Sequence, residues 1–242
     1  MFKTEDRDQF VASHKTEIEG LQKFDVMDIE HISSLPQGAR LLSSIWSYRR
    51  KRLPNGIFLK YKSRLCLNGR EHAFGRGYWE MYAPVASWAT IHMMLIMSSI
   101  LNLKTRQVDY TQAFPQATLD DPVFMQIPQG WYVKEDNLYQ HSNPKHNDTT
   151  HYMRLKRNLY GCKQAARNWF QHLTKGLLQL GFVQSRTDSC LFLRHDCILV
   201  VYVDDCLIFA EINTLSASYL LQDERDMNAF LGIKINNVQQ RK

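Results

Sequence analysis

The 242-residue sequence has no apolar run long enough to span a bilayer. Its longest, around Met93–Met97 and Cys197–Val203, fall well short of roughly 18 residues, and the second stops at Asp204 and Asp205. A membrane protein is therefore not expected. The N-terminus, MFKTEDRDQF, lacks an apolar core and carries acids early, which fits neither a secretory signal nor an acid-poor transit peptide. None of the five cysteines, Cys66, Cys162, Cys190, Cys197 and Cys206, forms a C-x-x-C pair, and the odd count argues against a closed disulfide framework. An intracellular, reducing compartment is the simpler expectation. His141, His146 and His151 recur every five residues without a nearby cysteine pair, which favours a polar loop over a structural zinc site. With 11 glycines and 7 prolines, the chain is also too poor in both for a collagen-like or low-complexity polymer. What is present, 44% apolar and 22% charged residues, is ordinary globular usage, and the length allows one large domain or two small ones.

Net charge is +6, unevenly placed. Between Arg40 and Arg76, ten basic residues stand against Glu71 alone, and between Arg154 and Arg186 seven stand against no acid. Two basic lobes beside an acidic remainder suit either a phosphate-backbone track with an acidic metal centre or an ordinary solvated surface.

Along the chain, Ile18, Leu21, Phe24, Met27 and Ile29 form a partly helical pattern that predicts a short helix before Pro36 and Gly38. Ile45–Arg52 and Ile57–Leu67 read as strands joined through Asn55-Gly56, a hairpin signal because both residues tolerate positive φ. Pro84 to Leu101 reads as a buried helix, apolar on most faces, and Val108–Ala113 as a strand closed by Pro115. Residues 134–150 show no apolar periodicity and read as a surface loop, longer than most connections. Lys163–Leu180, ended by Gly181, repeats apolar residues at helical spacing with Arg167, Gln171 and Lys175 on another face. Cys190–Leu193, Ile198–Val203 and Cys206–Phe209 are strand-like, and strands and helices in this order indicate an α+β fold.

The last two of these strands are separated by Asp204-Asp205. Successive side chains on a strand point to opposite faces, so adjacent carboxylates share a site only where the chain turns. Held together they repel, a cost that a divalent cation removes, and hard oxygen ligands favour magnesium or manganese. The alternative for the dipeptide alone is an ordinary Asp-containing turn.

Tyr202-Val203-Asp204-Asp205 resembles the Tyr-x-Asp-Asp box of reverse transcriptases, specifically those of copia-type retrotransposons. The resemblance is ordered along the chain. It includes Tyr61–Cys66, Tyr82-Ala83-Pro84-Val85, Gln107–Phe114, Phe124–Gly130, Leu155–Ala165, Trp169, Gly181-Phe182, Asp188–Leu191 and Phe230–Ile233, and covers roughly Glu17 to Ile235. It implies an RNA-directed DNA polymerase domain of a Pol polyprotein, with a right-hand architecture of fingers and palm. The palm would be an antiparallel sheet with packed helices, the fingers would be built on the Asn-Gly hairpin, and the thumb would be largely absent. The implied domain layout is an N-terminal segment over residues 1–35, fingers and palm over 36–235, and a short tail over 236–242.

By the same resemblance, Asp109, Asp204 and Asp205 are the catalytic carboxylates and hold two Mg2+ or Mn2+ ions, with the Tyr110 carbonyl as a further ligand. Lys62 and Arg64, with Lys60, are candidates for the triphosphate tail. The amides of Gln112 and Ala113 meet the triphosphate, and Phe114 excludes a 2′-hydroxyl unless it is a plain core residue. Tyr160, Gly161 and Lys163 support the incoming nucleotide and template. Tyr202, Phe230, Leu231 and Gly232 contact the primer. The implied partners are an RNA template, a DNA primer, dNTPs and other parts of a Pol polyprotein such as ribonuclease H and integrase, with no membrane, and the implied location is a cytoplasmic particle.

The pattern also departs from the family. About ten residues follow Gly232, and no ribonuclease H portion, protease Asp-Thr/Ser-Gly or integrase zinc pattern is found. The stretch from Glu211 to Ala229 is short and carries no lysine, Arg225 stands where a turn glycine is expected, and Ala166 replaces a proline. Three readings follow: an active polymerase core, a decayed remnant that binds nucleic acid without efficient synthesis, or another metal-dependent palm enzyme.

Overall fold

Phe10, His14, Glu17, Ile18 and Leu21 recur at three- and four-residue steps and form the buried face of α1 (Arg7–Lys23). The computed structural model describes residues 6–53, 55–75, 78–110, 112–133, 139–141, 147–210, 224–226, 229–230 and 233–234. In it α1 ends at Phe24, Asp25 adopts φ +51°, and the chain turns directly into β1 (Met27–His31). Met27 and Ile29, whose spacing suggested helix, are therefore strand residues. The left-handed turn at Asp25 breaks the helical period before them.

The chain divides into two units, Met1–Tyr82 with Phe114–Trp169, and Ala83–Ala113 with Phe170–Lys242. In the first, β2 (Leu41–Leu42), β6 (Thr118–Gln126) and β9 (His151–Arg157) join β1 in a four-stranded sheet of order β1-β9-β6-β2. Its core gathers Leu21, Val26, Leu65, Met125, Met153 and Leu159. The expected Asn-Gly hairpin is present as β3 (Ser44–Arg52) and β4 (Phe58–Leu67), with Gly56 at φ +83°.

One face of this hairpin packs on α1. Tyr61 Oη donates to Asp6 Oδ1 at 2.5 Å, Arg50 pairs with Asp6, and His14 stacks on Trp46 at 4.1 Å. Strand alternation then assigns Arg49, Lys51, Lys60, Lys62 and Arg64 to the opposite face. There the register sets Arg49 across from Lys62 and Lys51 across from Lys60. β7 (Trp131–Val133) pairs with β8 (Tyr139–His141), so the stretch read as an unbroken loop from Lys134 to Thr150 contains a short strand.

In the second unit, α2 (Trp88–Ile100) begins where the Ser87 hydroxyl accepts from Thr90 N at 3.0 Å. The expected helix start at Pro84 is thereby moved four residues on, and Pro84 itself lies before the cap, outside the helix. Only one face of α2 is buried, through Thr90, Ile91, Met94 and Ser98, while Ile100 is 70% exposed. The expectation of a helix buried on most faces is thus corrected: apolar composition alone does not report how many faces find a neighbour. β5 (Lys104–Asp109) stops at Asp109, and α3 (Ala113–Gln116) takes up the residues expected to continue that strand. Gln112, at φ +51°, turns the chain between them.

α4 (Ala165–Gln179) closes near Gly181, at φ +83°, as expected. β10 (Val183–Gln184), β11 (Leu191–Arg194), β12 (Cys197–Tyr202), β13 (Asp205–Ala210) and β14 (Glu224–Asp226) complete a six-stranded sheet of order β10-β11-β12-β13-β5-β14. Cys206 to Ala210 are all buried, the pattern of a strand covered on both faces. Arg225, expected at a glycine turn, lies in β14 opposite Gln107, where extended backbone accepts any residue. β15 (Ala229–Phe230) and β16 (Ile233–Lys234) form a separate pair. The fold is mixed α+β, and no helix of the described residues is long and apolar enough to cross a membrane.

Candidate active site

The β12–β13 hairpin is closed by Val203 and Asp204, because Tyr202 pairs in register with Asp205. Asp205 is consequently the first residue of β13 rather than half of the connection. Val203 carries φ +59°, a left-handed backbone that is costly for a β-branched residue. β13 in turn pairs with β5 so that Asp205 lies directly opposite Asp109. Tyr110 N donates to Asp204 O at 3.3 Å, tying the hairpin turn to the residue after Asp109. Three acidic positions from two distant segments thus meet at one end of the six-stranded sheet. A fourth residue, which the sequence did not single out, joins them: Gln107 Nε2 donates to Asp205 Oδ1 at 3.2 Å. It sits two residues before Asp109, at the diagonal position an antiparallel register makes a neighbour.

The donors available here are oxygens. Asp204 and Asp205 are half-buried, so their carboxylates are held yet reachable from solvent. The adjacent Cys206 thiol is pushed well above its ordinary pKa by burial, reinforced by Asp205 and Asp204 and opposed by a hydrogen bond with Tyr110, and it stays protonated. Carboxylate and carbonyl oxygens without a thiolate fit a hard divalent cation such as Mg2+ or Mn2+. Among the described residues no group of three or more His, Cys, Asp or Glu side chains gathers for a metal, and Asp109 is placed by its backbone register.

In the first unit, another set of expected residues comes together. The Arg64 guanidinium lies 4.4 Å from the centroid of the Tyr160 ring, and Phe114 meets the same ring at 5.0 Å. Leu67 N donates to Tyr160 O at 2.7 Å, binding this loop to β4. Gly161, at φ +90°, lies so close to β4 that a Cβ there would stand 2.0 Å from Leu67 O. Lys163 Nζ donates to Tyr78 Oη at 3.2 Å and lies over the Tyr78 ring. Lys62 stands opposite Arg49 on the hairpin. Gln112 and Ala113 follow β5 in the other unit, as does Tyr202 at the end of β12. Phe230 lies in β15, paired with Ile233, while Leu231 and Gly232 fall outside the described residues.

A family model described as reverse transcriptase (RNA-dependent DNA polymerase) matches residues 27–241. The chain belongs to this reverse transcriptase family. Its ordered motifs place it in the copia-type retrotransposon group, and relatives agree. The Retrovirus-related Pol polyprotein from transposon RE2 of Arabidopsis thaliana is 31% identical over 217 residues, covering 85% of this chain and 14% of the relative. That from transposon TNT 1-94 of Nicotiana tabacum is 27% identical over 243 residues, covering 95% and 17%. The Transposon Ty1-H Gag-Pol polyprotein of Saccharomyces cerevisiae is 23% identical over 251 residues, covering 97% and 12%. This reverse transcriptase chain therefore spans about one seventh of the length of the first of these relatives.

Proposed function

We propose that this chain is the RNA-directed DNA polymerase core of a copia-type retrotransposon, transferring a nucleotidyl group from a dNTP to a primer 3′-hydroxyl. The observation that carries the proposal is the register pairing of Asp205 with Asp109, with Asp204 in the adjoining turn. In this reading the six-stranded sheet is the palm and the β3–β4 hairpin belongs to the fingers, both within residues 36–235. Asp109 and Asp204, with Asp205 in support and the Tyr110 carbonyl beside them, would hold two divalent ions. Those ions, when bound, supply a lowered pKa for the attacking hydroxyl and charge neutralisation for the departing pyrophosphate.

The chain's own residues do the rest. Gln107 orients the Asp205 carboxylate through its hydrogen bond. The amides of Gln112 and Ala113 receive the triphosphate, and Lys62, Arg64 and Lys163 neutralise phosphate charge. Phe114, which lies against Tyr160 and on the edge of the first unit's core, would discriminate against a ribose 2′-hydroxyl. Tyr160 and Gly161 support the template base, and Tyr202 with Phe230, Leu231 and Gly232 holds the primer end. An RNA template, a DNA primer and dNTPs are the substrates, and ribonuclease H and integrase portions of a Pol polyprotein are the partners.

The test is primer extension on an RNA template with Mg2+. Asp204→Asn and Asp109→Asn should each abolish incorporation while leaving the circular dichroism spectrum unchanged, and Asp205→Asn should cost less. Unchanged incorporation in all three variants would rule out the carboxylate centre. Unfolding of the variants would assign these residues a structural role.

A further inference from the structure

Large aromatic side chains on a solvent face are expensive to leave uncovered, yet the segment from Phe74 to Tyr82 presents three. Phe74 is 68% exposed, Trp79 61% and Tyr82 81%. Two of them are held in a fixed arrangement. Gly75 N donates to Tyr78 O at 3.1 Å, closing a turn that brings the Phe74 ring to 6.0 Å from Trp79 at 73°. Beneath them Tyr78 is buried and meets Phe74 edge-on at 5.9 Å. Tyr78 is itself anchored by Lys163, whose ammonium lies 5.1 Å from its ring centroid. The rings are therefore pre-positioned on a buried pillar.

The charge around them selects the ligand. Glu80 is the only acid between His72 and Tyr82, and its carboxylate is engaged by Arg167 at 2.8 Å. Lys163 brings a cation to the pillar, and the segment ends the lobe in which ten basic residues stand against Glu71. Exposed π-faces beside cations are the elements that hold unpaired bases, because every nucleotide offers a base ring to stack and a phosphate to neutralise. A paired duplex keeps its base faces covered by its own stacking and cannot use such rings.

We infer that Phe74 and Trp79, flanked by Tyr82, form a stacking platform for the unpaired bases of single-stranded nucleic acid. The inference rests on the polymerase reading only for the ligand's origin, the single-stranded stretch of a template; binding itself is independent of catalysis. The platform adds a base-dependent, weakly salt-sensitive component to the phosphate-dependent affinity of the basic hairpin. Single-stranded RNA and DNA share the chemistry it reads.

The test is fluorescence anisotropy at elevated salt, with a blunt RNA–DNA duplex, the same duplex with a 5′ overhang of about eight nucleotides, and one whose overhang is abasic. The normal overhang should tighten binding about tenfold and the abasic overhang should not. Trp79→Ala with Phe74→Ala should remove the gain, and Trp79→Phe should keep most of it. Blunt-duplex affinity and thermal midpoint should stay the same throughout. Uridine and thymidine overhangs of equal gain mean base stacking on either nucleic acid, whereas a gain confined to one sugar type overturns a purely stacking platform. An overhang that adds nothing, a gain that survives the double variant, or an equal loss of blunt-duplex binding overturns the inference. Concentration-dependent self-association abolished by Trp79→Ala would instead make the patch a protein contact. Loss of primer extension in the Asp204→Asn variant leaves each of these readings unchanged, so the two proposals fail separately.

Discussion

Asp205 is paired in register with Asp109, while Gln107 reaches diagonally across the same two strands to donate to the Asp205 carboxylate. With Asp205 a metal ligand, as proposed above, this relationship makes Gln107 a positioning residue. It fixes the direction of one carboxylate oxygen, and groups that orient metal ligands typically change metal affinity by about tenfold or more when lost. Gln107→Leu should therefore raise the Mg2+ concentration for half-maximal primer extension by about tenfold, with less effect at saturating Mg2+. An unchanged Mg2+ titration would return Gln107 to a packing role.

The Gly161 position should be intolerant of any side chain. A Cβ would stand 2.0 Å from Leu67 O, and φ is +90°. Both the clash with backbone and the left-handed strain act at once, so Gly161→Ala should cost more than about 2 kcal/mol in urea unfolding. Gly38→Ala is the control. It shares a positive φ of +78° but meets nothing within 4 Å, so it should cost only about 1 kcal/mol.

On the face of the β3–β4 hairpin turned away from α1, cations oppose cations: Arg49 faces Lys62 and Lys51 faces Lys60. Like charges directly across a sheet destabilise it, and a polyanion bound there relieves the repulsion. Nucleic-acid affinity should fall steeply with salt, and the paired variant Lys62→Ala with Arg64→Ala should reduce the log–log slope by about 1.5 to 2. A slope that does not move would show that these two side chains meet no phosphate.

Asp188 links α2 to β11. Its Oδ2 accepts from Ser87 N at 3.0 Å and Thr90 Oγ1 at 2.6 Å, and its Oδ1 accepts from Cys190 N at 2.9 Å. Burial opposes its charge, but the hydrogen bonds from Thr90, Ser87 and Cys190 outweigh it and hold the carboxyl below its ordinary value. A depressed folded pKa means the ionised form stabilises the fold above the unfolded value near 3.8, and the contribution disappears as pH falls through the folded value. Asp188→Ala should accordingly lose about 1 to 3 kcal/mol at pH 7. The gap to wild type should narrow in urea titrations carried out progressively below about pH 4. A gap independent of pH would mean that packing, not charge, carries the role.

Several elements were legible without any tertiary information. The Asn55-Gly56 hairpin, the amphipathic α4 and the apolar strands around Asp204-Asp205 each depend on neighbours within a few residues, and local backbone preference and side-chain periodicity suffice for them. Where two local signals competed, the reading failed. Met27 and Ile29 continued a helical spacing that the turn at Asp25 interrupts, and Val108 to Ala113 looked extended although Gln112 turns the chain toward α3.

By itself the sequence determined the family and the residues offered for its chemistry: the acids, the basic lobes and the ordered family motifs are present whatever the fold. Only the tertiary structure decided how they meet. The connection of β12 to β13 is Val203-Asp204 rather than Asp204-Asp205, because pairing of Tyr202 with Asp205 sets the register. Gln107 reaches Asp205 across 98 positions of chain, and Phe74 and Trp79 lie exposed while α2 buries a single face. Register and burial are properties of which segments pair across long sequence separations, and no local periodicity encodes that choice.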